Sequence, residues 1–525
     1  MRTQTLRFDT TSMVGHVVRG ILWMGSSTFV IYAIRMVNLM VLARLLTPQD
    51  FGIMATATVV INLVSLLQHL GIGPALVQRT DLKPIHIRVG FTLSLFFSGL
   101  ITTAVWAAAP VIAHFFHLEN LVAILRVLAL TFLLTGLSIV ARALLQREMR
   151  FRALAAIGAL SHAVGYVGVG IPLAALGLGV WALVGAYLTE VLVSSGSALL
   201  LKRHDFRPTI NWPTARELFS FGGSYTIARI ANYVGTQVDK IIVARELGHH
   251  DLGIYSRAYY FVGLVCTLTE ATVGRVLFAA MAQIQNEQER LAWAFLRTIS
   301  LISAVLCPVV AVSIISAPEL VDVLLGSQWG EVVKPFRMLA FGMFLGSLLD
   351  MSHYLLMARG TTYLLVGTQV LYACLVIVGA WIGRLWDVSG IAFGVVLAMA
   401  VSALLTFALS LRLTGVAWYV AFKVFLPPAL SGGILGLWAW IISQILRSLN
   451  FPSVTILVVV GLSCSLIWVL LLRIASKFFL GHIGSEALCA LFAFVPARMR
   501  HAAALFIGYK FLFGASNRAG GEGGA

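Results

Sequence analysis

Charge is what this sequence lacks. Only 11% of its 525 residues are Asp, Glu, Lys or Arg, and 21 acidic residues face 37 basic ones. Soluble domains carry about 25% charged residues, so most of this surface cannot face water. A large soluble enzyme, a disordered scaffold and an ordinary nucleic-acid-binding protein are excluded. Cysteine is scarce as well: Cys266, Cys307, Cys374, Cys464 and Cys489 are odd in number, scattered, and form no C-x-x-C pair. They read as small hydrophobes of an apolar interior, not as a disulfide framework or a metal site. Also missing are the phosphate-binding G-x-x-x-x-G-K-[ST], the zinc-binding H-E-x-x-H and the nucleophile elbow of hydrolases, so direct ATP hydrolysis and these hydrolytic chemistries have no residues to carry them. No cofactor and no metal is expected.

What the chain has instead is long apolar runs: 59% of residues are hydrophobic and the mean hydropathy is +0.93. A helix crosses the hydrocarbon core in about 20 residues, and backbone polar groups in lipid must be satisfied internally. Fourteen runs of helical length occur, at 18–44, 51–77, 88–113, 119–142, 153–175, 178–201, 217–245, 252–282, 292–316, 335–358, 361–383, 389–412, 419–446 and 454–475. The apolar stretch after Arg19 is too long for a cleavable signal and reads as the first span. The expected fold is an all-α polytopic membrane protein of about fourteen transmembrane helices. Twelve spans with two non-spanning segments is the alternative. The longest connection, around Ser316–Lys334, is too short for a separate soluble domain.

Orientation follows from the basic residues. With the N-terminus in the cytoplasm, 25 of the 37 Lys and Arg fall in inside segments and six in outside loops. Both termini are therefore expected to be cytoplasmic. The tail at 476–525 mixes apolar patches with Arg498, Arg500 and Lys510 and is expected to lie on the inner leaflet as an interfacial helix. A pI near 10.0 in a soluble chain would indicate a nucleic-acid partner. Here most of that charge touches membrane lipid instead, and no nucleic-acid partner is expected.

One internal repeat stands out. VLARLLTPQDFGIM at 41–54 matches IVARELGHHDLGIY at 242–255 with six identities at a constant offset of 201: Ala43/Ala244, Arg44/Arg245, Leu46/Leu247, Asp50/Asp251, Gly52/Gly253 and Ile53/Ile254. The same offset pairs Tyr32 with Tyr233 and Asn38 with Asp239. The copies lie at the first and seventh spans, so six spans separate them and both point the same way. That predicts two parallel six-helix repeats forming two lobes around a central cavity, a transporter architecture that works by alternating access. The lobes would comprise 1–216 and 217–416, with two more spans in 417–475. Each Arg ends a helix, and each Asp-x-Gly caps and turns the chain into the next span.

This pattern, a long first span, A-R-x-L-x-x-x-D-[FL]-G-I-[MY] and a second span, repeated at the seventh and eighth, resembles the polysaccharide-transporter family. That family comprises O-antigen, colanic-acid and other exopolysaccharide flippases within the multidrug/oligosaccharidyl-lipid/polysaccharide exporter superfamily. The resemblance implies translocation of undecaprenyl-pyrophosphate-linked sugar repeat units from the inner to the outer leaflet of the bacterial inner membrane, with no enzymatic step. It also implies work beside a polysaccharide polymerase and export machinery. Gly-His-His at 248–250 departs from Thr-Pro-Gln at 47–49, so the two lobes are not interchangeable.

Six basic residues remain inside spans: Arg35, Arg126, Arg229, Lys240, Arg257 and Arg275. Each costs about 2.5–3.5 kcal/mol at a helix centre, so they must face a wet cavity, pair, or snorkel. On the seventh helix Tyr225, Arg229, Tyr233, Thr236 and Lys240 form one polar stripe, and on the first Thr28, Tyr32 and Arg35 form a shorter one with Asn38 at its edge. The repeat relates these helices, so the stripes are expected to face each other. A cationic, aromatic cavity suits a pyrophosphate headgroup, because guanidinium groups bind phosphate oxygens bidentately. The candidate substrate-binding residues are Arg35, Arg229, Lys240, Tyr32 and Tyr233, with Arg257 and Arg275; the last two, like Arg126, lie close enough to span ends to snorkel instead. Four acids also lie in spans. Asp239, Glu270 and Asp350 are candidates for coupling transport to an H⁺ or Na⁺ gradient, Glu190 is a weaker one, and each is equally a candidate partner for a neighbouring cation.

Rival readings have different requirements. A peptidoglycan-precursor flippase or a multidrug exporter of the same superfamily would share the architecture; the loop signature disfavours the first and fourteen spans the second. A polysaccharide polymerase or lipid-linked glycosyltransferase needs a substantial external loop to carry its chemistry, and the short loops and the repeat argue against it.

Overall fold

In the computed structural model, residues 32–69, 72–79, 81–217, 233, 235–270 and 281–479 are described, and among them the ordered elements are all helical. The chain runs through α1 (32–45), α2 (Pro48–His69), α3 (Pro84–Phe115), α4 (Leu121–Arg147), α5 (Phe151–Ala175), α6 (Val180–Leu201), α7 (235–247) and α8 (His249–Thr269). It continues through α9 (Gln288–Ile315), α10 (Val333–Ala358), α11 (Thr362–Gly383), α12 (Val388–Thr414), α13 (Trp418–Ser448) and α14 (Ser453–Phe479). Eleven helices among the described residues are long and apolar enough to cross a membrane, and the protein is a multi-pass membrane protein. The three remaining expected spans, 18–44, 217–245 and 252–282, overlap α1, α7 and α8, and the rest of each lies outside the described residues. The expected interfacial tail lies outside it as well.

The repeated loops explain how the two halves of the chain meet. In the first copy Asp50 accepts hydrogen bonds from the Thr47 backbone N–H at 2.9 Å and the Thr47 hydroxyl at 2.7 Å. With Pro48 opening α2, this is a capping box followed by proline at the first helical position. The second copy caps differently. Gly248 stands where Thr47 does, at a φ of 95°, a conformation that glycine adopts without penalty. The first turns of α2 and α8 then cross at two glycines in a reciprocal contact. A Cβ on Gly52 would lie 1.6 Å from the His249 carbonyl oxygen, and one on Gly253 would lie 1.9 Å from the Pro48 carbonyl oxygen. Positions 52 and 253, like 48 and 249, are related by the offset of 201, so the sequence repeat is realised as a mutual backbone contact.

The segment around Ser316–Lys334 is no slack connection. After the short helix Ala317–Leu324 it makes a 3-10 turn at Ser327–Val332 whose Trp329 is fully buried. The Trp329 indole N–H donates to Ala43 O at 2.8 Å, and the Gln328 amide donates to Ala43 O at 2.6 Å and Leu46 O at 3.1 Å. Arg44 donates to Val323 O at 3.1 Å, and the Trp329 ring meets Phe51 edge-on at 5.4 Å. The orphan carbonyls at the end of α1 are thus satisfied by side chains from the other half of the chain. Trp329→Ala should cost about 3–5 kcal/mol through lost burial and the cavity left behind. Thermal unfolding of the purified protein reads this, and an unchanged midpoint would show that this end does not depend on the indole.

At the opposite end, Arg88 pairs with Asp205 at 2.5 Å within the first half and Arg290 with Glu287 at 2.6 Å within the second, while Arg79 meets Glu217, at the boundary of the two, at 2.7 Å. Arg359 likewise donates to Gln285 O and Leu413 O within the second half. Among the described residues, Trp329, Gln328 and Arg44 join the halves at the end carrying the repeated loops.

Candidate functional site

Between the halves, below the reciprocal glycines, lies a cavity of about 620 Å³. From the first half α1 contributes Tyr32, Arg35 and Asn38, α2 contributes Phe51, Thr58 and Asn62, and α5 and α6 contribute His162, Tyr166, Tyr187 and Glu190. From the second half come Tyr233, Gln237 and Lys240, then Ser256, Arg257, Tyr259 and Tyr260 on α8. Among the described lining residues three side chains are basic, Arg35, Lys240 and Arg257, and one is a carboxylate.

The cations are held by aromatic faces, not by acids. The Arg257 guanidinium lies 4.8 Å from the ring centre of Phe51, across the divide, and 5.6 Å from that of Tyr260. Arg35 lies 5.7 Å from the Tyr32 ring, and the Lys240 ammonium 4.5 Å from the Tyr259 ring. Lys240 also donates to Gln237 Oε1 at 2.7 Å. The Nε atoms of Arg35 and Arg257 are buried with no hydrogen-bond partner among the described residues. Cation–π contact recovers about 0.5–2 kcal/mol, less than the cost of a charge at membrane depth. Guanidinium groups left this way are poised for an anion.

The predicted stripes are largely brought together. Tyr32, Arg35 and Asn38 face Tyr233, Gln237 and Lys240 across the cavity, and Arg257 joins them rather than snorkelling. Thr236 is not part of the lining; its hydroxyl bonds Tyr233 O at 3.1 Å. Tyr233 presents its ring to the cavity while its hydroxyl donates to Val59 O at 3.0 Å, a further link between the halves. Arg229 and Arg275, with Thr28 and Tyr225, lie outside the described residues. Arg126 is elsewhere, stacked 4.2 Å from the ring centre of Trp106.

The three foremost acids are not in the cavity. Asp239 is 2% exposed behind its wall, where it accepts the Tyr255 hydroxyl at 2.6 Å. Glu270, exposed at the end of α8, accepts from the Tyr354 hydroxyl at 3.3 Å, and Asp350 lies on α10. The carboxylate that does line the cavity is Glu190, with His162 Nδ1 at 3.4 Å. Sequence reading missed His162, Tyr166 and Tyr187 because the glycines around them read as a packing surface. The structure shows more: α5 widens into a π turn at Ala163–Gly170, and a Cβ on Gly165 would lie 2.6 Å from Ala186 O and 2.9 Å from Glu190 N. That close approach sets α5 against α6 and brings His162 beside Glu190. Such wide turns recur at functional sites, but no side-chain pattern announces them. Among the described residues no group of three or more His, Cys, Asp or Glu is placed to hold a metal ion.

Known structures share this helical fold. Lipid II flippase MurJ in an inward closed conformation superposes with a TM-score of 0.71 at 13% identity, covering 85% of this chain and 98% of that one. An inward-facing multidrug resistance MATE family transporter of the MOP superfamily gives 0.59 at 16% identity, covering 73% and 94%. These likenesses establish the fold. Residues 41–334 match the family described as "Polysaccharide biosynthesis protein", and this chain belongs to that family. Similar proteins include the lipopolysaccharide biosynthesis protein WzxC of Escherichia coli (strain K12), 23% identical over 74% of this chain and 80% of WzxC. The succinoglycan biosynthesis transport protein ExoT of Rhizobium meliloti (strain 1021) is 26% identical over 62% and 65%. The teichuronic acid biosynthesis protein TuaB of Bacillus subtilis (strain 168) is 24% identical over 66% and 72%.

Proposed function

We propose that this protein is a flippase that carries lipid-linked oligosaccharide units from the inner to the outer leaflet of the bacterial inner membrane for surface polysaccharide synthesis, with the sugar joined to an undecaprenyl carrier through pyrophosphate. The observation that carries the reading is the pair of guanidinium groups, Arg35 and Arg257, without acidic partners among the described residues, in a tyrosine-rich cavity between the halves. Three cations against one carboxylate leave a surplus of two positive charges among the described lining residues, and a pyrophosphate diester carries two negative ones. Arg35, Arg257 and Lys240, with Arg229 and Arg275, bind the phosphates; Tyr32 and Tyr233, with Tyr166 and Tyr187, offer ring faces to the sugars.

The transport cycle follows from the lobes. Residues 1–216 and 217–416 act as two parallel six-helix repeats, 417–475 adds two spans, and the repeated loops form the gate at the outer face. The reciprocal contact of Gly52 and Gly253 supports this layout. In the described state that gate is sealed by backbone contact and Trp329, which leaves the cavity for loading from the cytoplasmic side. An H⁺ or Na⁺ gradient acting through Asp239, Glu270 or Asp350 drives the cycle. A polysaccharide polymerase takes the product at the outer face. The family relatives favour a polysaccharide precursor over a peptidoglycan precursor, since the likeness to MurJ extends to fold alone.

Deleting the gene in its host and quantifying lipid-linked repeat units tests the reading. Undecaprenyl-linked units should accumulate on the cytoplasmic side and surface polysaccharide should fall to background, both restored by the intact gene. Unchanged surface glycan in a strain with no redundant transporter would overturn it.

A further inference from the structure

The connector that leaves α6 has a path that its transport role does not require. It runs from Lys202 to Glu217, through His204-Asp205-Phe206-Arg207-Pro208-Thr209-Ile210-Asn211-Trp212. It does not hang free between the halves but is strapped to the first. Arg88 of α3 pairs with Asp205, Phe206 packs edge-on against Phe91 with ring centres 5.4 Å apart, and the Thr209 backbone N–H donates to Thr92 Oγ1 at 2.8 Å. Ala215 is buried among the apolar residues of that half. Thr92 lies eight residues past the start of α3, about 12 Å along its axis. The connector therefore lies alongside a membrane-spanning helix, at interface depth, not out in the cytoplasm.

Its outward side is apolar and basic together. Ile210 and Trp212 are 74% and 76% exposed, and Arg203, Arg207 and Arg216 are exposed beside them. The acid among them is already occupied: the Arg207 backbone N–H, and then the Arg88 guanidinium, hold the Asp205 carboxyl below the ordinary carboxylate range. Among the described residues the Arg203, Arg207 and Arg216 side chains make no ion pair, while Asp205 and Glu217 are taken by Arg88 and Arg79. The neighbouring turn between α4 and α5 repeats the pattern, with Met149 and Phe151 exposed at 72% and 51% around an exposed Arg150. Between the two turns a recess of about 680 Å³ mixes Arg147, Lys202 and Arg203 with Asp81, Glu148 and Asp205, and Lys202 pairs with Glu148 there, so the basic surface is the outward side and not the recess.

We infer that the connector at 203–212 and the adjoining turn form a mooring surface for anionic phospholipid of the inner leaflet, Trp212 and Ile210 seated at the headgroup boundary and Arg203 and Arg207 on lipid phosphates. Tryptophan prefers this depth because one end of its ring is apolar and the other polar. Basic side chains near an anionic leaflet are drawn to it electrostatically. Since both the strap and its anchors belong to the first half, the lipid holds that half while the second rocks. The inference rests on the orientation given above, with this end of the molecule cytoplasmic.

The full chain in neutral detergent, titrated with phosphatidylglycerol or phosphatidylcholine while its thermal unfolding is followed, tests it. Phosphatidylglycerol should raise the midpoint by several degrees and phosphatidylcholine much less. The variant Arg203→Gln/Arg207→Gln should lose the difference, and Ile210→Ser/Trp212→Ser should respond weakly to both. None of the four side chains lines the transport cavity, so lipid-linked substrate should still bind these variants. Equal responses to the two lipids, or an undiminished phosphatidylglycerol effect in the arginine variant, would overturn the mooring and leave the transport reading intact. Failure of the unaltered protein to bind lipid-linked substrate, with its phosphatidylglycerol response present and lost in the arginine variant, would count against the transport reading alone.

Discussion

Gly52→Ala combined with Gly253→Ala should abolish surface polysaccharide while leaving the protein in the membrane. Each new methyl would sit 1.6 Å or 1.9 Å from a backbone carbonyl oxygen of the opposing helix. A carbonyl cannot rotate aside as a flexible side chain can, so the two backbones must part by about 2 Å to regain ordinary contact distances. Overpacking costs about 1–3 kcal/mol even where side chains absorb it. Two such clashes at one crossing should shift the balance against the sealed state by roughly a hundredfold or more. The unsealed protein is expected to react at the 44–50 end with a membrane-impermeant thiol reagent, through a cysteine placed at Leu46, which is buried while the crossing is closed. Wild-type levels of surface glycan in the double variant would mean that the crossing is not a gate.

Arg257→Leu should separate function from stability more sharply. An arginine without an acidic partner at membrane depth is a net cost of about 2.5–3.5 kcal/mol before cation–π contact offsets part of it. Removing it should raise the thermal midpoint of the purified protein. The same change deletes a charge-assisted phosphate contact worth about 1.5–3 kcal/mol, so apparent affinity for the lipid-linked substrate should fall roughly tenfold to a hundredfold. Arg257→Lys keeps the charge but loses the planar fork and should recover only part of the binding. Arg35→Ala should behave in the same direction. A variant that loses stability together with transport would instead make Arg257 a structural residue, with Phe51 as its real partner.

Much of the fold was legible because lipid imposes simple rules. Apolar runs gave the helices from α3 to α6 and from α9 to α14 within about five residues, since a span must satisfy its own backbone, whereas the run at 51–77 overshoots α2, which ends at His69 ahead of a separate short helix at Ile72–Gln78. Arg35, Tyr32, Tyr233 and Lys240 were legible because a charge or hydroxyl in such a run needs a reason, and the repeat supplied a common direction for their helices. What could not be read was convergence. Glu190 reaches the cavity beside His162 only because α5 widens at Ala163–Gly170, a backbone event that follows from Gly165 meeting the Ala186 carbonyl. Trp329 sits in what looks like a short connection, and nothing local tells that its indole will cap α1 nearly three hundred residues upstream. Asp239 shows the converse: it neighbours Lys240 in sequence, yet the helix turns it away from the cavity toward Tyr255.

The glycine crossing also bears on how such a chain can change over generations. Position 52 rests on the carbonyl of residue 249, and position 253 on that of residue 48, so each copy of the loop supplies both the contact and the surface contacted. A substitution in either copy is tested at once against the other, and drift in one cannot be relieved by drift in the same one. Elsewhere the two stretches have been free to part, as Thr-Pro-Gln and Gly-His-His have done. The shared residues Ala43, Arg44, Leu46, Asp50, Gly52 and Ile53, with their counterparts 201 positions on, are then the trace of a mutual constraint as much as of common descent.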